Sequence, residues 1–196
     1  MPDTLYLNLW FGDSEVVETL AHAVSVMRQF PFSTYLPGIT NVAVHPLSWN
    51  EPTILEQRFR PGISAEDAAT LAAGLPHEDY AYVFEANWDL WALSPQDTWS
   101  LQPSVVRFIA RGTEFEEDEY ETQGNVQVDF GLDTPFLHEE LQLSPELEAR
   151  VRTNVQKLVD FTTAVEKNSG SKTRLLWSES ETNLAQKLLS RLQRVQ

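Results

Sequence analysis

Apolar and polar residues alternate from Thr4 to Phe11, with Leu5, Leu7, Leu9 and Phe11 on one side and Tyr6, Asn8 and Trp10 on the other. A period of two predicts a strand, which Gly12 ends. The period then lengthens: Val17, Leu20, Val24 and Met27 recur at spacings of three and four, predicting a helix capped by Asp13 or Ser14 and stopped by Pro31. Residues 41–47 and 53–60 read as two strands joined by a turn at 49–52, with Pro61-Gly62 closing the second. Ser64 begins a second helix with acids in its first turn, and residues 80–91 supply a long strand.

The order βαββαβ over residues 4–91 is the ferredoxin-like pattern, two helices on one face of a four-stranded antiparallel sheet. Residues 99–111 and 125–137 read as two more strands that pair with each other. Ser144-Pro145-Glu146 starts a long helix carrying Leu147, Val151, Val155, Leu158, Thr162 and Val165 to about Lys167. After the short apolar piece Leu175-Leu176-Trp177, a last helix from about Glu179 places Leu184, Leu188, Leu192 and Val195 on one face. The expectation is an α+β protein. A ferredoxin-like module spans 1–95, and a β-hairpin with two amphipathic helices spans 96–196 and packs on it as one globular unit.

Within the first module, Tyr80, Tyr82 and Phe84 form the expected core side of the fourth strand. The opposite sheet face gathers mixed polar groups, and the second half of the chain is its expected cover. A crevice between the halves, lined by Trp10, Arg58, Arg60, Glu85 and Asp89, would offer arginine forks, carboxylates and a tryptophan face to a small ligand. A carboxylate of raised pKa in it would serve as a general base. The competing expectation for these residues is a seam of structural ion pairs. Trp88, Trp91 and Trp99 cluster closely enough to wedge two packed layers together, with ligand stacking as the alternative.

Charge sharpens this picture. Residues 1–140 hold 23 Asp and Glu against 5 Arg and no Lys, a net of −18, whereas the last 56 residues carry a net of +3. A body so acidic repels phosphate backbones and anionic lipid, which argues against nucleic-acid and membrane partners. It favours a basic protein partner. The densest acidic run is Glu114, Glu116, Glu117, Asp118, Glu119 and Glu121, read either as a solvated hairpin loop or as the docking surface for that partner.

Catalytic and metal signatures are absent from the sequence. There is no cysteine, P-loop, nucleophile elbow, dinucleotide fingerprint or His-Glu-x-x-His helix, and Asp129-Phe130-Gly131 is a bare triplet without the rest of a kinase. The acidic run lacks EF-hand spacing, Glu18 and His22 lack further ligands, and His77 and His138 sit beside acids as surface groups. No cofactor is implied. The sequence therefore predicts a non-enzymatic, cytoplasmic acidic binding protein of the immunity or inhibitor type. The crevice as a small-molecule site or enzyme is the alternative, and the third reading is a structural subunit whose basic final helices pair with the acidic body of a second copy as a homodimer; the chain is expected as a monomer or a homodimer.

Overall fold

The computed structural model describes residues 3–12, 15–138, 142–179 and 183–193. Asp13, Ser14 and Val195 of the sequence reading lie outside them. The elements are β1 (Thr4–Trp10), α1 (Val16–Met27), β2 (Ile39–Pro46), β3 (Leu55–Ile63), α2 (Ala65–Ala73), β4 (Tyr80–Leu93) and β5 (Trp99–Arg111). They continue with α3 (Glu119–Gln123), β6 (Val126–Leu132), α4 (Thr134–Leu137), α5 (Pro145–Asn168), β7 (Thr173–Ser178) and α6 (Leu184–Gln193).

All seven strands join one antiparallel sheet in the order β3-β2-β4-β5-β6-β1-β7. The α+β class holds, but the strand order is not that of a ferredoxin-like unit. That unit would place β1 between β3 and β4. Here β5 pairs with β4 along its whole length, Ala81 to Arg111 through Leu93 to Trp99. β2 occupies the other edge of β4, so β1 finds its partners in β6 and β7. Strands from both halves of the chain thus share one sheet. The apolar piece around Leu175 is its seventh strand, and residues 134–137 leave the sixth as a short helix.

One sheet face is the core. Leu5, Leu7 and Leu9 of β1, Val42 and Val44 of β2, Phe84 of β4 and Val126 and Val128 of β6 are fully buried there, together with the inner faces of α1, α2 and α5. Tyr82 is buried as the alternation requires, its hydroxyl donating to Leu75 O at 2.8 Å. Trp88 sits at the centre of this layer, stacked on Phe130 at 5.4 Å and tilted against Phe30 and Phe136. Trp91 carries Arg150 over its ring, and Trp99 packs on His138. The tryptophan cluster is therefore packed.

Ser144 Oγ accepts from Leu147 N and Pro145 takes the first helical position, so α5 begins where its cap requires. α5 and α6 join the same core cluster as α1 and α2. The second half of the chain therefore widens the sheet and thickens the one helical layer. Among the described residues, the opposite sheet face, expected to lie under a cover, carries no helix packed through buried residues; α3 on that side has none.

Candidate binding face

The pairing registers align the side chains of the uncovered face in cross-strand rows. Arg58, Asn41, Glu85, Arg107, Asp129, Tyr6 and Trp177 are successive partners from β3 to β7. The adjacent row is Glu56, Ala43, Val83, Ile109, Gln127, Asn8 and Leu175. The face mixes polar and charged groups with an apolar strip of Ala43, Val83 and Ile109, on which Trp49 lies, and with the exposed side chains of Leu101, Val105 and Leu175.

The acidic segment folds onto one end of this face. Phe115 is fully buried and meets Trp49 at 4.9 Å. Glu116 accepts from Trp49 N at 2.9 Å, and Glu119 accepts from Trp49 Nε1 at 3.1 Å and from Arg111 Nε at 2.6 Å. Glu116, Glu117 and Asp118 are three successive left-handed residues, with φ of 48°, 52° and 68°. Such backbone costs on the order of 1–2 kcal/mol per residue, so it persists only where packing determines it. A solvated loop does not describe this segment. Its carboxylates divide: Glu116 and Glu119 turn inward, while Glu114, Glu117, Asp118 and Glu121 remain exposed.

Beneath it lies Arg111, 2% exposed. Its Nη2 donates to Gln127 Oε1 at 2.7 Å, and Gln127 in turn donates to Asn8 Oδ1 at 2.8 Å. Gln123 of α3 accepts from both Asn8 and Gln127, which ties the helix to the sheet. Burial pulls the guanidinium below its ordinary pKa, against the opposing pull of the Glu119 carboxylate. Arg111 Nη1 is buried without an acceptor.

Two cavities flank Trp49. One, of about 340 Å³, is lined by Tyr6, Arg111, Gln127, Asp129, Trp177 and Glu179 among others. Trp177 stacks on Tyr6 at 5.1 Å, and its indole N–H is also buried without an acceptor. Burial, with Asp129 and Glu179 close by, pushes the Tyr6 phenol up and keeps it protonated. The other, of about 310 Å³, is lined by Asn41, His45, Glu56, Glu85 and Arg107. There Asn41 Oδ1 and His45 Nδ1 lack partners, and burial, partly offset by Glu56, lowers the His45 pKa.

The five crevice residues do not converge. Trp10 stands near α3, its Nε1 donating to Glu121 O at 3.1 Å. Arg58 and Arg60 lie exposed on the edge strand β3, five strand spacings from β1 in the sheet order. At about 4.8 Å per spacing, that is roughly 24 Å. Glu85 is mid-sheet and pairs with Arg107 at 3.0 Å. Asp89 accepts from Ser33 Oγ at 2.5 Å and from Thr34 N at 3.0 Å. Burial opposes its ionisation, but those hydrogen bonds and Lys157 hold its carboxyl below the ordinary value, the reverse of the raised pKa expected for a general base.

Sequence reasoning missed Arg111, Trp49 and Trp177. The signal for Arg111 is strand parity, since Arg107, Ile109 and Arg111 alternate with the buried Val106, Phe108 and Ala110. Elsewhere, His22 stacks on Phe11 at 4.1 Å rather than turning outward with Glu18, and His138 is buried. Among the described residues no group of three metal-ligating side chains forms. Nor is any helix long and apolar enough to cross a membrane. The face thus assembles hydrogen-bonding groups, charges and aromatic rings. No protein-family model, no curated protein and no solved structure matches this chain.

Proposed function

We propose that this is a non-catalytic binding protein that engages a basic protein partner, in the manner of immunity or inhibitor proteins, through the uncovered sheet face and its acidic end. One observation carries the reading. The acidic segment is folded against Trp49 and Arg111, so that Glu114, Glu117, Asp118 and Glu121 stand exposed at a fixed place beside an uncovered face. Charges held in place cost less ordering on binding than charges on a loose loop. They also steer a cationic partner from a distance.

The test uses these four positions, because Glu116 and Glu119 hold the fold. A basic protein captured stoichiometrically from host lysate should associate at least about tenfold more slowly when Glu114, Glu117, Asp118 and Glu121 are changed to Lys, with a flatter salt dependence. Unchanged association kinetics with a correctly folded variant would remove the acidic end as the contact.

A further inference from the structure

The cavity beside Trp49 has a chemistry more specific than its acidic surroundings. Arg111 is nearly fully buried at its floor, with Nε and Nη2 engaged and Nη1 lacking an acceptor. Trp177, which also lines it, holds a second N–H without an acceptor. Buried donors are rarely left unpaired; Trp88 Nε1 and Ser178 Oγ are others here, and the two at this cavity are donors that the folded chain leaves unsatisfied beside an open volume. Three carboxylates, Glu119, Asp129 and Glu179, stand in the lining against the single guanidinium. Glu119 is committed to Arg111. Asp129 has Arg107 only at 3.8 Å, and that arginine is held more closely by Glu85 at 3.0 Å. The stacked Tyr6 and Trp177 rings and the ring of Trp49 supply aromatic walls. Aromatic faces beside under-neutralised carboxylates favour a cation.

We propose that this cavity receives one basic side chain, arginine or lysine, from an extended segment of the partner. The cation lies between the Tyr6, Trp177 and Trp49 rings within reach of Asp129 and Glu179. A volume of about 340 Å³ suits a single side chain. The proposal rests on the reading of a basic protein partner and specifies what that partner inserts.

The experiment needs no partner. N-acetyl-arginine amide and N-acetyl-lysine amide are titrated into the whole protein while NMR follows the indole N–H resonances of Trp49 and Trp177. N-acetyl-glutamine amide and N-acetyl-glutamate amide serve as comparison probes. At least one cationic probe should move both resonances saturably in the millimolar range, and the neutral and acidic probes should not. Asp129→Asn combined with Glu179→Gln should weaken that binding at least tenfold while the rest of the spectrum keeps its dispersion. Equal shifts from the glutamine probe would overturn the proposal in favour of a neutral amide ligand, and a response to glutamate alone in favour of an anion. No response to any probe would mean that the cavity holds water only and would also overturn it. Because partner association is read separately through the four exposed carboxylates, the pocket and the acidic-surface reading fail independently.

Discussion

Changing Glu119 to Gln keeps the shape of the side chain and an acceptor for Trp49 Nε1, but removes the charge that Arg111 Nε meets at 2.6 Å. Arg111 is 2% exposed, so the guanidinium cannot recover its hydration where it stands. Breaking a buried pair from one side costs about 3–5 kcal/mol when both ions are fully enclosed. Here the Glu119 side chain is 22% exposed, and Gln127 still accepts from Arg111 at 2.7 Å, so the lower part of that range applies. The expected loss is about 3 kcal/mol, or about 1.5 M in urea midpoint for a slope near 2 kcal/mol/M. The control is Glu117→Gln on the same segment, exposed and outside the pair, which should stay within about 0.5 kcal/mol of the parent. In a double-mutant cycle, Arg111→Met with Glu119→Gln should cost less than the sum of the two single changes, because neither buried charge is then left alone. If Glu119→Gln is no more harmful than Glu117→Gln, the acidic segment is not held by this pair and its exposed carboxylates are not fixed beside the face by it.

Burial lowers the pKa of His22, His45 and His138, with the Arg191 charge adding to the effect at His138. The unfolded chain takes up protons at these histidines below the ordinary value of about 6.5, before the folded protein does. Stability is therefore fully present above that pH and is lost as the pH falls towards the lowered folded values; thermal melts should show this, with a smaller loss in His138→Asn. Gly124 has φ +89° and would place a Cβ 2.4 Å from Leu9 O, so Gly124→Ala should cost at least about 2 kcal/mol by denaturant titration. Trp88→Ala removes a fully buried ring stacked on Phe130 and should cost about 3–5 kcal/mol in the same assay; a loss below about 1 kcal/mol would contradict its central place in the core.

Elements with a long, clean period were legible in the sequence. Leu5, Leu7 and Leu9 marked β1 and its buried side, and the Ser144-Pro145 start marked α5. Pairing was not legible, because alternation says which side of a strand is buried and nothing about its neighbours. β1 meets β7 some 170 positions away, Leu5 opposite Ser178, and that choice depends on β5 having taken the edge of β4. The hidden order of the acidic segment has a different cause. Its six carboxylates read as solvated, while a single apolar residue, Phe115, anchors it and a buried arginine just before it, Arg111, neutralises one acid from below. The polar alternation of β1 did place Tyr6, Asn8 and Trp10 on the face opposite the core, although that face was expected to be covered. The expected crevice does not form, because Trp10, Arg58, Arg60, Glu85 and Asp89 sit on strands whose lateral order alternation does not reveal.

The most direct test of the account is the hydrogen-exchange footprint of the chain bound to a captured basic partner. Slower exchange confined to the uncovered side, in the Trp49 turn, residues 113–123 and the edge strand β7, is the result expected. Slower exchange confined to the outer surfaces of α1, α2 and α5, with the Trp49 turn and residues 113–123 unchanged, would place the partner on the helical layer and contradict the assignment of the binding face.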